Sequence, residues 1–347
     1  MKNISFSRRD FLIKSSIGVA GLFAAPYLSL NIWAEEKKSP IRIAVEFNSH
    51  AVPAYVAIDK NFYEEEGLKF SAYKSYATGA SLAAGLTRGD IDAAYICLIP
   101  AINAFANAGV PIKVVSGTHL YGYGLAVNPE LIKSVKDLGK PETRLGGLRE
   151  GTSVDTIIHK TMENFALNRQ SILSKIRRMS PPKALFAVRA GQLDAVFLPE
   201  HWLTMTERYG FKILLTARDL WPDMIGSVLA VKDELIRDNP SIVKGLVKAT
   251  SRATDWMSQH SEKSANLAAK YLSFEGEKAP LSEVFENKGD LKVSAEYILR
   301  SMKNLDYVNL ININGVQKTV DYIASLGNIK KSFSADKILD LHFLKRG

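Results

Sequence analysis

The sequence predicts an α/β fold of two lobes, each a mostly parallel sheet flanked by helices, with a helical C-terminal extension. Three observations carry that expectation. Strand-like and helix-like segments alternate from Ile41 to Lys232, the pattern of a parallel sheet with crossover helices. One phrase is written twice, as "ASLAAGLTRGDIDAAYI" at 80–96 and "KALFAVRAGQLDAVFL" at 183–198, so that Gly89, Asp92 and Ala93 correspond to Gly191, Asp194 and Ala195. Beyond Pro240 the segments have helical length and spacing almost throughout.

Taken in order, "IRIAVEF" reads as a buried strand, "NSHAVPAY" as a polar loop and "VAIDKNFYEEEG" as helical. "LKFSAYKSY" is a second strand, and "TGAS" opens the helix of the repeated phrase. Its apolar positions Leu82, Ala83 and Leu86 give it an inner face, and Gly89 permits the left-handed turn that ends it. "IDAAYIC" is a third strand, Pro100 opens another helix closed by Gly109, and "PIKVVSGT" is a fourth strand. The pattern restarts with the strand "YGYGLAV", the short helix "SVKDLG", the strand "TRLGGL" and a helix opened by Thr152 or Ser153. "SKIRRM", the second copy of the phrase, "GFKILLTARDL" and "SVLAVKDEL" complete it. The lobes are expected at 41–121 plus 233–347 and at 122–232, with crossovers near Leu120–Gly124 and Gly226–Lys232. Helices are expected to the end, including "SADKILDLHFL".

The N-terminus differs in kind. Arg8 and Arg9 precede Phe11 and Leu12, and a small-residue apolar run from about Ser15 to Leu30 leads to Ala34. This is the pattern of a twin-arginine export signal over residues 1–34. Gly18, Gly21 and Pro26 weigh against a retained membrane span of ~20 residues. A periplasmic location is expected, with cleavage after Ala34 and retention as an anchor both left open.

Composition is that of a packed globular chain: 46% hydrophobic and 23% charged. The formal charge is +9; Lys2, Arg8, Arg9 and Lys14 against Asp10 account for three units, which leaves +6 beyond residue 34. The surplus is scattered, without a Lys/Arg stripe among aromatics, so no nucleic-acid partner is expected. The single cysteine, Cys97, excludes an internal disulfide framework and every paired-cysteine metal or redox motif. Its place at the end of an apolar strand suggests a small buried hydrophobe.

The segments "IRIAV", "KNFYEEEGLKF", "ATGASLAAGLTRGDIDAAYI", "AGVPIKVVSG", "SVKDLG", "REGTSVD" and "GQLDAVFLPEHW" stand in an order and spacing similar to those of periplasmic substrate-binding proteins of ABC importers. The resemblance is to the group that takes up sulfonates, taurine, nitrate or thiamine-pyrimidine precursors, and it covers roughly residues 41–250. It implies the type II periplasmic binding protein fold, closure on a small molecule, and an ABC permease and ATPase as partners. A monomer without a cofactor is expected. An enzyme of thiamine-pyrimidine synthesis has a similar fold, but its cysteine-rich stretch cannot be supplied by Cys97 alone, and no nucleophile triad or phosphate loop appears. Catalysis is therefore not expected. A ligand-sensing module of a membrane receptor is the remaining alternative.

Ligands in open α/β sheets sit beyond the carboxyl ends of the strands, and helix N-termini there attract anions. Four such termini begin at Thr78–Ser81, at Leu98, at Thr152–Ser153 and at Glu200–His201. The candidate ligand-binding residues are Asn48, His50, Tyr55, Thr78, Ser81, Leu98, Thr118, His119, Thr152, Ser153, Glu200, His201 and Trp202. Tyr76 and Trp221 are further aromatics, and Glu46 and Glu150 further carboxylates. Thr78, Ser81, Thr152 and Ser153 equally suit ordinary N-caps, and the aromatics equally suit core packing. His50, His119 and His201 with Glu200 offer metal-ligand chemistry, but no histidine pair has the spacing of a helical metal site, so no metal is expected. Arg149 is the one basic residue foreseen in a cleft loop. A small organic anion is the favoured ligand, with a pyrimidine or other heterocycle as the alternative.

Overall fold

The computed structural model describes residues 40–273 and 292–344. The export segment expected over 1–34 lies outside them. Among the described residues no helix is long and apolar enough to cross a membrane.

The chain opens with β1 (Ile41–Glu46), a 3-10 turn at Ser49–Ala51, α1 (Val52–Asp59) and α2 (Phe62–Glu65). Then come β2 (Phe70–Tyr76), α3 (Gly79–Thr87), β3 (Ala93–Cys97), α4 (Leu98–Ala108) and β4 (Ile112–Tyr121). After Gly122 follow β5 (Tyr123–Val127), β6 (Leu145–Gly147), α5 (Ser153–Asn164), α6 (Arg169–Leu173), β7 (Ile176–Arg178), α7 (Pro181–Arg189), β8 (Ala195–Pro199), α8 (Trp202–Met205), β9 (Lys212–Thr216) and α9 (Ala217–Leu220). The chain closes with β10 (Ile225–Lys232), α10 (Asp233–Asp238), α11 (Pro240–Gln259), α12 (Ser261–Tyr271), α13 (Ala295–Met302), β11 (Leu305–Asp306) and α14 (Ile313–Ser325).

Two sheets result, in the orders β11-β4-β10-β3-β1-β2 and β7-β6-β8-β5-β9. In the first, β1 pairs in parallel with β2 and β3, while β10 runs antiparallel between β3 and β4. In the second, β6 pairs in parallel with β7 and β8, and β5 runs antiparallel between β8 and β9. Each sheet is thus mostly unidirectional with a reversed strand inside it. Burial follows position. The central strand β3, "AAYIC", is buried at every residue, whereas the edge strand β2, "FSAYKSY", is half exposed, because helices cover both faces only of inner strands.

The chain leaves the first sheet at Tyr121 and enters the second at Tyr123. Gly122 makes the step with φ +87, and a Cβ there would stand 2.8 Å from His50 Nε2; only glycine meets both conditions. The return occurs between Thr216 and Ile225, earlier than expected. Residues 225–232, assigned by sequence to the second lobe, form a central strand of the first sheet, because the apolar run Val228–Val231 suits burial between β3 and β4.

Other expectations change in detail. "NSHAVPAY" is no polar loop: Asn48, Ser49, His50, Ala51 and Val52 are all buried, and α1 starts within the stretch. Among the described residues, 334–344 hold 3-10 turns at Ala335–Lys337 and His342–Leu344 in place of the expected helix. The long α11 keeps Ile242, Val243, Leu246, Val247, Ala253 and Met257 on one buried face, at the spacing its sequence announced.

Candidate functional site

Asp92 and Asp194, the repeated aspartates, precede their strands and tie them to the neighbouring strands. Asp92 accepts from the Arg42 backbone N–H at 2.8 Å and from its guanidinium Nε at 2.9 Å. Asp194 accepts from the Arg144 backbone N–H at 2.8 Å and from its Nε at 3.1 Å. These pairs lie at the strands' amino ends and face away from the site. They set the register that brings the carboxyl ends together.

Beyond those carboxyl ends lies a cleft of about 480 Å³, lined by Ala77, Thr78, Ala80, Ser81 and Ala84 from one sheet and by Leu148, Arg149, Thr152, Arg178, Met179, Ser180 and Lys183 from the other. The first group follows β2; the second follows β6 and β7. A chamber of about 20 Å³ continues inward past Thr78 and Thr152 to Asn48, Glu46, Cys97, Tyr123 and Ser153, room for about one water-sized group.

Three helix N-termini border this space, those of α3, α5 and α7, and that of α7 opens with two prolines after Ser180. Thr78 caps α3, its Oγ1 accepting from the Ser81 N–H at 3.1 Å. Thr152 caps α5, accepting from the Asp155 N–H at 3.3 Å and donating to the Arg149 carbonyl at 2.7 Å. Both threonines therefore act as caps while lining the cleft. No acidic residue occupies the first turn of α3, so its positive end is uncompensated by its own side chains. Under α5 the buried Asp155 accepts from Gly151 N–H at 3.1 Å and from Arg178 Nη1 at 2.7 Å. Arg178 also donates to the Leu148 carbonyl at 2.7 Å, which anchors it. Arg149 has no hydrogen-bond or ion-pair partner for its guanidinium among the described residues, and Lys183 is exposed on the cleft wall.

The structure thus supplies two cations that sequence reading did not place here, Arg178 and Lys183. The signal existed in "IRRMSPPK", a third strand-to-helix junction with basic residues on each side.

The remaining sequence candidates divide. Thr78, Ser81 and Thr152 line the cleft, and Asn48 and Ser153 line the inner chamber. His50, Tyr55, Leu98, Thr118, His119, Glu200, His201 and Trp202 are buried and line neither. Tyr55 stacks on Tyr271 at 4.9 Å, packing α1 on α12. Trp202 lies under Phe47 and donates from Nε1 to its carbonyl at 3.3 Å. Trp221 meets Tyr322 edge-on at 5.2 Å. Tyr55 and Trp202 went to the core, where their area stabilises most, and Trp221 packs half-buried against it.

Behind the chamber Glu46, Asn48, His50, Cys97 and Tyr123 form a polar network, whereas His119 Nε2 and both ring nitrogens of His201 are buried without a hydrogen-bond partner among the described residues. Glu46 accepts from the Cys97 backbone N–H at 2.6 Å, from the Cys97 thiol at 3.1 Å and from Asn48 Nδ2 at 3.3 Å. Burial pushes its carboxyl up, and no Lys or Arg pairs with it among the described residues. Tyr123 donates to Cys97 Sγ at 2.9 Å. Cys97 is therefore no plain hydrophobe: burial, and next to it the Glu46 carboxylate, push the thiol's pKa well up. His50 Nε2 meets the Gly122 carbonyl at 2.9 Å and its Nδ1 lies 3.6 Å from Cys97 Sγ; burial lowers the imidazole to about 4. His119 packs tilted against His50, ring centroids 4.3 Å apart, and is lowered further by burial and by that neighbour. Glu200 accepts from Thr204 Oγ1 at 2.7 Å and from Asn304 Nδ2 at 2.6 Å, yet burial raises it to about 7. His201 lies over Trp202 at 4.8 Å and is lowered by burial to about 3.

Two sheets meeting at strand tips, with a reversed strand in each and a double crossover, define the fold of the periplasmic solute-binding proteins. The ligand-binding component of an ABC-type import system from Staphylococcus aureus, solved with zinc bound, is similar at a TM-score of 0.72 and 15% identity, covering 88% of this chain and 98% of that one. The alkanesulfonate-binding protein SsuA from Xanthomonas axonopodis pv. citri, bound to MOPS, is similar at a TM-score of 0.71 and 16% identity, covering 88% and 99%. Residues 34–273 match the model of the NMT1-like family, and the chain belongs to that family. The taurine-binding periplasmic protein of Escherichia coli (strain K12) is 23% identical over 214 residues, 60% of this chain and 64% of that protein. The chain spans 64–66% of the length of the curated relatives it matches, just under two thirds.

Proposed function

We propose that the protein is an extracytoplasmic solute-binding protein that captures a small organic anion, a sulfonate or carboxylate, and delivers it to an ABC permease. The carrying observation is the cleft at the strand tips of both sheets, lined by Arg149, Arg178 and Lys183 and by the N-terminus of α3. Micromolar affinity needs about 8 kcal/mol. A charge-assisted hydrogen bond contributes roughly 1.5–3 kcal/mol and a partly buried helix terminus up to ~2 kcal/mol, so two cations and one terminus account for most of it. Ala77, Ala80, Ala84 and Leu148 supply apolar contact for an organic tail. The relatives that bind taurine and alkanesulfonate support this choice of ligand class. The pairing of a buried Trp202 with Phe47 removes the main aromatic that a flat heterocycle would have used.

Mechanism follows from placement. The anion touches groups from both sheets at once, so its binding favours the arrangement that holds them together, a shift set by its differential affinity for closed and open forms. Export by the twin-arginine route and a periplasmic location belong to the same proposal and rest on the Arg8–Arg9 segment. Isothermal calorimetry with taurine, ethanesulfonate, nitrate and benzoate tests it. The expected outcome is micromolar binding of at least one sulfonate or carboxylate, weakened about tenfold or more by Arg149→Ala and by Lys183→Ala. Affinity indifferent to both substitutions overturns the cleft assignment.

A further inference from the structure

We infer that Glu46, His50 and Cys97 form a binding site for one divalent transition-metal ion at the floor of the cleft. One candidate ligand atom from each residue lies within 4.8 Å of the others, and all three residues are buried. A four-coordinate ion with a sulfur bond of about 2.3 Å and a nitrogen bond of about 2.0 Å sets its ligands roughly 3.5 Å apart. The separation of Cys97 Sγ and His50 Nδ1 is 3.6 Å, and that of Sγ and Glu46 Oε2 is 3.1 Å. Small side-chain movements complete the set.

The orientation of His50 is the second, independent observation. Its Nε2 faces the Gly122 carbonyl at 2.9 Å, which can only accept, so the ring proton sits on Nε2. The lone pair is thereby fixed on Nδ1, aimed at the thiol. Metal-ligating histidines are commonly held this way, the far N–H anchored on a backbone carbonyl. Glu46 is likewise positioned by donors, the Cys97 N–H and Asn48 Nδ2, and is a buried carboxylate without a cation among the described residues. Charge balance favours a divalent ion. The thiol proton, and any proton on Glu46, leaves to solvent; thiolate and carboxylate then neutralise the two positive charges, with His50 neutral. The donor set of one sulfur, one imidazole and one carboxylate suits zinc or cobalt rather than magnesium or calcium. Glu46 and Cys97 border the inner chamber, which offers an entry path and a fourth position for water or a solute atom.

The site stands apart from the choice of cargo, and its test is separate. Cobalt(II) chloride titrated into the purified, chelator-treated full chain should bind one equivalent and give a thiolate-to-cobalt charge-transfer band in the near ultraviolet. Cys97→Ser should abolish the band, and His50→Gln should weaken binding at least tenfold. Zinc should displace the cobalt, and X-ray absorption of the zinc-loaded, unsubstituted protein should show one sulfur neighbour, a readout that does not depend on either variant folding. Absence of the band together with absence of sulfur around zinc, or a band that persists in a folded Cys97→Ser protein, overturns the site. Sulfonate calorimetry on the chelator-treated protein reads the cargo proposal independently.

Discussion

Asp92 and Asp194 each grip an arginine 50 residues earlier, Arg42 and Arg144, through the same pair of contacts, one to the backbone N–H and one to the guanidinium. Gly89 and Gly191 precede them with φ of +79 and +64. Up to the last strand residue the two copies of the phrase are one device. Past it they part. In the first copy Cys97 leads straight into α4, and the thiol bonds to Glu46 and Tyr123. In the second, Pro199 leads to Glu200 and His201, both buried and turned to Asn304 and Trp202. The comparison teaches that the amino end of each unit is built for register, while the carboxyl end is free to carry different chemistry.

The sharpest way to break the comparison is to remove the two locks separately. Asp92→Ala and Asp194→Ala should each lower the unfolding free energy by about 2–3 kcal/mol, because each leaves a backbone N–H and a partly shielded guanidinium without their acceptor. Urea titrations check this. A loss below about 0.5 kcal/mol at one site would show that the copies are alike in sequence only.

A second difference is electrostatic. The position that follows the strand is Leu98 in one copy and Glu200 in the other. Burial keeps Glu200 protonated up to about 7 in the folded state, whereas an unfolded glutamate loses its proton near 4.3, about its reference value. Between those limits the folded form binds more protons than the unfolded form, so this group's contribution to stability falls as pH rises. His201 acts oppositely. Held neutral down to about 3, it lowers stability as pH falls below the range in which an unfolded histidine protonates. Glu200→Gln should therefore gain stability relative to the parent by about 2 kcal/mol between pH 5 and pH 8, read from unfolding midpoints. A difference that does not change with pH would mean that Glu200 is ionised throughout.

The smallest effects belong to the caps on the two cleft walls. Thr152→Ala should cost about 1–1.5 kcal/mol and Thr78→Ala about 0.5–1 kcal/mol, the larger figure reflecting the extra bond from Thr152 to the Arg149 carbonyl. Thermal unfolding ranks them, and equal losses would remove the distinction.

Local signals made much of the fold legible in the sequence. Alternating strand and helix segments, glycine turns at Gly89 and Gly191, and the 3.6-residue spacing of α11 each report on neighbours within a few positions. The family resemblance was legible for the same reason, since it rests on short motifs in order. The cleft lining was legible at Thr78, Ser81, Arg149 and Thr152 and, deeper, at Glu46, Asn48 and Ser153, near places where a strand's end leads to a helix start. Polarity misled at His201 and Glu200. Polar residues on a predicted loop were expected to face ligand, but the loop is buried, and desolvation neutralises both groups rather than exposing them.

By itself the sequence determined two related α/β units, their repeated turn-and-lock, and the helix starts that present positive ends, because period, turn residues and caps act through the adjacent chain. Only the tertiary structure decided that β10 returns to the first sheet, that Arg178 and Lys183 join Arg149 on one cleft, and that Glu46, His50 and Cys97 converge. Those outcomes depend on pairings between residues tens of positions apart, such as Cys97 beside Ser227, where the free energy of burying an apolar strand chooses the partner and no local signal names it.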